Sequence, residues 1–555
     1  MSVRPFLIVV AGSVVAQAAA AAAAPVPAPV AVPATTAKPP AGAERAPDKF
    51  VIEAFDIAGV TVLPAGEVER LVYPFAGPDR SNDDVEAARK AVQDAYAAHG
   101  FSAVVVEVPV QAHDTFAQGI VQLAVSEIPL GLLTVSDSHF HSLYITRAAL
   151  PSLAEGKPIN VTALQADVTR ANRFPDRIVN PVFKPGRRPG TLDVDLKVDD
   201  RIPLHGSLQI DNDASPSTTP LRVTANARYT NLFQTGQTAS VTYITSPQRL
   251  SEVEVVAGSY TVPLLRTPWT IALSGYYSNS NVASTGDSSV LGAGYQVGVR
   301  AQYLLQSEHA QQVISFGPDF KDFKQRVAVA GAPASNAPVR YVPFELQYTR
   351  AGATDRSNYS LTAGTTAGLR VVRGVVCAQP TGPCVPADVF QNREANSFEN
   401  FVRGNFTFDY SYASKNDIVG ALRISAQIAD SHLITNEQFA SGGLRSVRGY
   451  YSSEAVGDDG VAAGLEVRSP SFAPLLGRWL TEARLFGFVD SAFLRVLQPL
   501  PDVTSRYSLL GVGGGLSLRA FRRFSGQVLG AAALHDGVRT KEGDVRVDFV
   551  VKGEF

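Results

Sequence analysis

The chain ends in the stretch Asp544-Val545-Arg546-Val547-Asp548-Phe549-Val550-Val551-Lys552-Gly553-Glu554-Phe555. Apolar side chains occupy one parity of this stretch and charged side chains the other, with Val550 as the one apolar exception. A period of two predicts a β-strand. A soluble sandwich would also alternate, but it would turn its polar face outward, whereas a transmembrane barrel turns its apolar face to lipid. The charged face and the closing aromatic residue therefore favour the last strand of a membrane barrel.

The same kind of pattern extends back to residue 204, and helical periodicity is absent from it. We predict sixteen strands, which begin near residues 205, 221, 237, 251, 268, 291, 311, 341, 357, 398, 416, 460, 482, 507, 524 and 543. Short turns alternate with longer polar connections, as in a bacterial outer-membrane barrel with an even number of strands. Only 18 % of the residues are charged and mean hydropathy is +0.04, which suits a wall whose apolar residues alternate with polar ones.

Two smaller units precede the predicted barrel, at residues 50–127 and 128–203. Each has the predicted order β-α-α-β-β, so we interpret them as a tandem repeat of roughly 75 residues. Ser81 is a candidate cap for the long helix of the first unit, and Gly100 ends it. In the second unit, Thr191–Asp199 alternates between apolar and charged residues, as a half-buried strand does.

The N-terminus has the pattern of a secretory signal. Arg4 supplies a positive charge, Phe6–Val15 forms a short apolar core, and Ala16-Gln17-Ala18 offers a cleavage site. We predict a signal peptide over residues 1–24 and a Pro/Ala-rich linker over residues 25–49. A membrane-anchoring helix is the alternative, which the shortness of the apolar core disfavours.

The chain has two cysteines, Cys377 and Cys384, with six residues between them. Neither has the additional His or Cys neighbours that a zinc site requires. In an exported protein a disulfide that closes this small loop is the favoured interpretation, and two free thiols are the alternative.

The sequence offers no candidate catalytic group. It lacks a G-x-S-x-G elbow, an H-E-x-x-H helix and a phosphate-binding G-x-x-x-x-G-K-[ST] loop, and the eight histidines form no spaced cluster. The net charge is −2 and basic residues are scattered, which argues against a nucleic-acid partner. We therefore predict a protein that is not an enzyme and needs neither a metal nor another cofactor.

One long connection, between the eleventh and twelfth predicted strands, is less polar than a solvated loop. It contains Glu437-Gln438-Phe439-Ala440-Ser441-Gly442-Gly443-Leu444-Arg445-Ser446-Val447-Arg448-Gly449-Tyr450. Gly442 and Gly443 are candidate hinges, since glycine permits sharp bends, although ordinary turn glycines would look the same. Asp490 follows Phe488 in a later strand and has the parity that points inward. We predict that Arg448 pairs with Asp490 inside the barrel; the alternative is a solvated loop arginine.

These segments together resemble the two-partner secretion transporters, which are the hemolysin/adhesin secretion-activation proteins. Val447-Arg448-Gly449-Tyr450 is similar to the family's V-R-G-Y/F loop tip, and Phe488-Val489-Asp490 is similar to its F-x-D strand motif. The tandem repeat resembles the family's two POTRA modules, and Asn172-Arg173-Phe174-Pro175-Asp176-Arg177 resembles part of the second. The same superfamily contains the insertases that assemble outer-membrane barrels.

The resemblance implies a mainly β protein, in which a C-terminal 16-stranded transmembrane β-barrel over 204–555 follows two small periplasmic α+β, POTRA-like domains. It implies an outer-membrane translocase that captures an unfolded partner exoprotein, large and β-helical, in the periplasm and exports it without nucleotide hydrolysis. It also implies that the Arg448 loop docks at Asp490 and that Phe555 belongs to a signal for the barrel-assembly machinery. The alternatives are that Phe555 is only an interfacial aromatic residue and that the repeats are only spacers. An insertase and a passive porin are the alternatives, and a porin would need no repeats. Family members typically begin with a helix that plugs the pore, and the Ala/Pro-rich N-terminus departs from that pattern.

Overall fold

The structure is a computed structural model, which describes residues 49–111, 116–172, 176–215, 218–264, 267–280, 283–285, 288–290, 293–305, 310–324, 326–327, 335–336, 338–370, 375–377, 384–386, 388–501 and 504–555. The predicted signal peptide, almost all of the linker and residues 173–175 lie outside these ranges. The described chain divides into two compact units, and the boundary falls between Ile202 and Pro203.

The first module is a three-stranded sheet covered by helices. Its elements are β1 (Phe50–Ile52), β2 (Ala54–Ala58), α1 (Ala65–Val72), a 3-10 turn (Tyr73–Phe75), β3 (Gly77–Arg80), α2 (Asn82–Ala98), β4 (Val105–Glu107) and β5 (Ile120–Ser126). The sheet order is β2-β5-β4, with β2 parallel to β5. Helix α2 begins at a capping box formed by Ser81 and Asp84, and Gly100 follows its end with a φ of +87°. The short β1–β3 pair was not predicted.

The second module repeats this topology. Its elements are β6 (Leu130–Ser136), α3 (Leu143–Ala148), α4 (Val161–Ala171), β7 (Arg177–Pro185) and β8 (Leu192–Asp200). The sheet order is β6-β8-β7, with β6 parallel to the central strand, as β2 is in the first module. Val194, Leu196 and Val198 all lie in the module's hydrophobic core. The alternation predicted for this strand therefore builds one buried face.

The remainder is a closed antiparallel barrel of sixteen strands, which confirms the predicted fold class. The wall consists of β9 (Leu204–Asp211), β10 (Arg222–Leu232), β11 (Gln237–Thr245), β12 (Glu254–Pro263), β13 (Trp269–Ser278), β16 (Ala293–Leu305), β17 (Ala310–Lys324), β20 (Val339–Ala353), β21 (Ser357–Leu369), β24 (Phe401–Ala413), β25 (Val419–Ala429), β28 (Asp459–Arg468), β29 (Leu480–Arg495), β30 (Arg506–Ala520), β31 (Phe524–Ala533) and β32 (Val545–Glu554). Every strand begins within three residues of its predicted start.

Smaller elements lie in the connections between these strands. They are β14 (Ala283–Thr285), β15 (Ser288–Val290), β18 (Arg326–Val327), β19 (Ser335–Asn336), β22 (Val375–Cys377), β23 (Cys384–Pro386), α5 (Val389–Arg393), β26 (Phe439–Ser441), β27 (Ala455–Gly457) and α6 (Ala473–Leu476). We call the end of the barrel at which Leu204 begins β9 the near end. Connections at the near end have three to five residues, apart from the connection over residues 469–479. Those at the far end have eight or more.

The C-terminal strand closes the barrel against the first strand. Strand β32 pairs with β9 from Val550, opposite Asp211, to Glu554, opposite Ser207. Beyond the strand, the Phe555 backbone N–H donates to the Gly206 carbonyl at 3.0 Å. Val545 and Val547 are 70 % and 64 % exposed on the outer surface, whereas Asp548 is buried. The outer face of this strand is thus apolar, as a lipid-facing wall requires.

No helix in the described parts of the chain is both long enough and apolar enough to span a bilayer.

The predicted disulfide falls on a hairpin at the far end. The backbone of β22 pairs with that of β23 so that Cys377 is opposite Cys384, but both sulfurs lie outside the described residues. We expect a maleimide reagent to label neither thiol in the unreduced, unfolded protein, because two cysteines of an exported protein in such a hairpin oxidise readily. Mass spectrometry before and after reduction measures this. Full labelling of both cysteines without a reductant would refute the disulfide.

Candidate functional site: a loop folded into the barrel

The connection over residues 430–458, between β25 and β28, folds back inside the barrel, and we call it the inner loop. Val447 and Tyr450 near its tip are almost completely buried, in a cluster that includes Leu494 of β29 and Leu509 of β30. On β29, Leu485, Val489 and Phe493 are exposed on the outer face, so the residues of opposite parity face inward. The tip of the loop therefore rests on the inner wall.

The guanidinium of Arg448 binds Asp490 of β29 with two parallel hydrogen bonds. Its Nε donates to Oδ2 at 2.6 Å and its Nη2 donates to Oδ1 at 2.9 Å. The Arg448 backbone N–H also donates to Oδ2, at 3.2 Å. The Asp490 side chain is only 2 % exposed. Such a bidentate pair fixes the direction of the arginine as well as its distance from the wall.

Two further side chains complete the surroundings of Arg448. Its Nη1 donates to Glu466 of β28, which also accepts a bond from Arg468 Nε at 2.7 Å. The Phe488 ring lies beneath the guanidinium, with 3.5 Å between Cζ and the ring centroid. Both residues of the predicted Phe488/Asp490 motif therefore contact the arginine. Two carboxylates and one aromatic ring hold the guanidinium. These partners stabilise its positive charge at a place where little bulk water reaches it.

Glycines in β30 leave space for this arrangement. A Cβ on Gly511 would lie 2.0 Å from the Arg448 carbonyl oxygen, and a Cβ on Gly513 would lie 2.7 Å from Phe488 Cζ. Both distances are too short for any side chain. The glycine run is therefore a flat part of the wall against which the loop and the aromatic ring lie.

Glycines also determine the path of the inner loop. Gly442, Gly443 and Gly449 have φ angles of +114°, +92° and +96°, a region that strains other residues. A Cβ on Gly442 would lie 2.4 Å from the Tyr451 carbonyl oxygen. These positions need glycine for the observed conformation. That Gly442 and Gly443 act as a hinge remains a prediction.

Tyr450 ties the loop to the far end of the barrel. Its hydroxyl donates to the His535 carbonyl at 2.8 Å and accepts from the Leu510 N–H at 3.2 Å. Leu510 belongs to β30, and His535 lies in the connection between β31 and β32. The tip of the loop is therefore attached to β29, to β30 and to the connection between β31 and β32.

A second anchor, which sequence analysis missed, holds the base of the inner loop. The buried carboxylate of Glu437 accepts bonds from Lys321 Nζ and Tyr341 Oη at 2.5 Å, and from Arg403 Nε at 3.0 Å. These partners belong to β17, β20 and β24. Burial alone would raise the pKa of Glu437, but the charges of Lys321 and Arg403 hold that pKa at about 2. The loop is thus fixed to two different groups of strands.

We expect Glu437→Gln to destabilise the barrel. The amide keeps the shape of the side chain but leaves the buried charges of Lys321 and Arg403 without a carboxylate, which costs about 3–5 kcal/mol. The midpoint of heat-induced unfolding, followed by gel mobility, should fall. Glu252→Gln is the matched control, because its ion pair with the exposed Arg249 contributes about 1 kcal/mol or less and the Gln amide oxygen can still accept the Thr219 N–H. Equal midpoints for the two variants would contradict the role of this anchor.

Glu466 was also missed, although a parity argument could have found it. It lies opposite Phe488 in the β28–β29 register, so it has the same inward direction. No comparable signal identifies Glu437. Lys321 and Tyr341 lie 116 and 96 residues away from Glu437 in the chain, in strands that do not adjoin the loop in sequence.

No three His, Cys, Asp or Glu side chains form a possible metal site among the residues that the structure describes. In each ion cluster the central charge is surrounded by groups of opposite sign: two carboxylates around Arg448 and two cations around Glu437. The arrangement can hold or release a loop inside a pore.

Comparison with family models gives two matches. Residues 190–517 match the model for haemolysin secretion/activation proteins ShlB/FhaC/HecB. Residues 50–127 match the ShlB-type POTRA domain. The first match extends over more than half of the chain and contains the whole inner loop with its partners in β28 and β29.

A curated relative and two solved structures are similar to the chain. The outer membrane transporter CdiB of Dickeya dadantii (strain 3937) is 28 % identical over 115 residues, which are 21 % of this chain and only 20 % of that protein. The structure of CdiB from Escherichia coli has a TM-score of 0.64 and 18 % identity, and the alignment covers 94 % of this chain and 93 % of that one. BamA from Haemophilus ducreyi, in a form lacking POTRA domains 1–3, has a TM-score of 0.50 and 14 % identity, with coverage of 91 % and 100 %. At these identities the two structures indicate a shared fold.

Proposed function

The chain belongs to the haemolysin secretion/activation family ShlB/FhaC/HecB, and on this premise we propose that it exports a dedicated partner protein across the outer membrane. It is an outer-membrane barrel whose N-terminal POTRA region is periplasmic. The near end of the barrel therefore faces the periplasm, because the chain enters the barrel there at Leu204. The far end, with its long connections, faces outward.

The docked inner loop is the observation that carries the proposal. It occupies the lumen, and it is held by ion pairs and hydrogen bonds rather than by a continuous sheet. Such contacts can break one after another, because each charge can instead find water as the loop leaves the wall. In this proposal the docked loop obstructs the pore, and its displacement frees the channel that a barrel of sixteen strands can enclose.

The modules offer edges on which an unfolded substrate could pair. Strand β7 lies at an edge of its sheet, so one side of its backbone has no partner strand within that sheet. Ile178, Val182 and Phe183 on this strand are 37 %, 38 % and 46 % exposed. An extended polypeptide that joins such an edge gains backbone hydrogen bonds and apolar contacts without a defined sequence. We propose that the modules capture the unfolded exoprotein in this way.

The substrate in this proposal is a large β-helical exoprotein that folds outside the cell. Folding on the far side would prevent return, so transport needs no nucleotide and the chain needs no catalytic group. The barrel-assembly machinery is the second proposed partner and would recognise the terminal strand with Phe555, which is 70 % exposed. An insertase for other barrels is the competing function.

Deletion of the gene tests the proposal against this competitor. We expect one large protein to vanish from the medium and the cell surface and to accumulate, or be degraded, in the periplasm. Complementation should restore it. Quantitative proteomics of the medium, periplasm and outer membrane measures all three pools. A general fall of outer-membrane barrels without loss of a secreted protein would refute export and support insertion.

A further inference from the structure

One near-end connection is unlike the others. The connection over residues 469–479, between β28 and β29, has eleven residues and contains the short helix α6. It presents large apolar side chains outward: Leu475 is 86 % exposed, and Leu476 and Trp479 are each 51 % exposed. Beneath them, Ala473 and Leu480 are buried against Ala483. The segment therefore packs against the barrel through its buried residues, and its exposed surface is apolar.

The adjacent near-end turn extends this surface. Phe521 is 64 % exposed and has a φ of +48°, so a tight turn directs it away from the barrel. Its backbone N–H donates to the Trp479 carbonyl at 2.9 Å, and the two ring centroids are 6.2 Å apart. Phe524, at the start of β31, is also exposed, with 55 % of its surface accessible. We call the surface formed by Leu475, Leu476, Trp479, Phe521 and Phe524 the apolar foot.

The foot continues the lipid-facing band of the barrel. Trp479 immediately precedes β29 and is exposed, as are Leu485 and Val489, which form the outer face of that strand. Tryptophan and phenylalanine at the end of such a band are suited to the boundary between acyl chains and headgroups.

Three arginines border the foot. Arg478, Arg522 and Arg523 are all exposed, and none forms an ion pair among the described residues. The nearby carboxylates already have cationic partners, because Glu482 and Asp417 share Arg484 and Glu554 pairs with Lys552. The edge of the foot is therefore locally positive although the whole chain carries a net charge of −2.

We propose that the apolar foot and its arginines form a binding surface for anionic phospholipids of the periplasmic leaflet. The apolar side chains enter the upper acyl region, and the three guanidinium groups bind headgroup phosphates, for which their planar forks are suited. Strands β28 and β29, which the foot joins, carry Glu466 and Asp490, so the surface fixes the membrane depth of the wall that holds the inner loop. The inference depends on the membrane location and is independent of the transport proposal.

The two tryptophans of the chain allow a direct test, because each can serve as the sole reporter. The Trp269→Phe variant leaves Trp479, and the Trp479→Phe variant leaves Trp269 at the near end of β13. Each protein is reconstituted in phosphatidylcholine vesicles that contain phosphatidylglycerol, with the bromine label on the acyl chains of one lipid at a time. Quenching then reports which lipid contacts the indole.

We expect Trp479 to be quenched by acyl-chain bromine, with an effective preference for phosphatidylglycerol of roughly fivefold. Replacing Arg478, Arg522 and Arg523 with Gln should bring the preference at Trp479 close to one and leave that at Trp269 unchanged. Retained heat-modifiability shows that the variants fold. Absence of quenching at Trp479 would place the foot outside the bilayer and favour a protein partner. Quenching with no arginine-dependent preference would refute the anionic headgroup site. Secretion measured on the same variants is a separate readout, so either proposal can fail alone.

Discussion

Arg448→Ala is expected to abolish secretion while the barrel still assembles. The substitution leaves Asp490 and Glu466 as neighbouring buried carboxylates without their shared cation, a change that costs about 3–5 kcal/mol. The loop tip then loses its attachment to β29, whereas every strand pair of the wall remains. Secreted partner in the medium and heat-modifiable barrel in the outer membrane are the two quantities to measure.

Two further substitutions separate charge from geometry. Arg448→Lys keeps the charge but loses the fork that binds Asp490, so secretion should still fall severalfold. Arg356→Ala is the matched control, since Arg356 is an exposed arginine in the short connection between β20 and β21 and lies outside the inner loop. It should secrete nearly as the parent does. Equal secretion by Arg448→Ala and the parent would show that the docked arginine has no role in transport.

Asp490→Asn should be less damaging than Arg448→Ala, because the arginine keeps Glu466 and the Phe488 ring as partners. The double variant should be no worse than Arg448→Ala alone, since residues of one network do not contribute independently. Additive losses in this cycle would show that Arg448 and Asp490 do not act together.

Deletion of residues 50–200 should eliminate secretion and leave a folded barrel. The barrel is a separate compact unit, and its first strand begins only at Leu204, so the deletion removes no strand from the wall. If the modules capture the substrate, no substrate reaches the pore of the truncated chain. Heat-modifiability on gels checks the fold, and the amount of partner in the medium checks transport. Normal secretion by the truncated chain would make the modules mere spacers.

The barrel strands were predictable because the bilayer imposes one rule on all of them. Each strand must alternate between lipid and lumen, and sequence patterns record that alternation directly. Strand β3 of the first module was missed for the opposite reason. Its residues Gly77–Arg80 include Gly and Pro, which are depleted in strands, and it is held in place by pairing with β1.

The site was predictable only in part. Parity gives the inward direction of Asp490, and the resemblance directed attention to Arg448. Glu437 could not be assigned a partner, because local pattern does not say how a 29-residue connection runs through a lumen. The contacts with Lys321 and Arg403 arise from the closure of the barrel, which brings distant strands around one loop.

Reconstitution tests the central claim most directly. The chain alone is placed in liposomes, without nucleotide, and the partner identified by gene deletion is added outside in unfolded form. We predict that the partner becomes resistant to external protease until the membrane is dissolved, and that Arg448→Ala liposomes protect none. A partner that stays fully digestible with the intact chain would contradict export by this barrel.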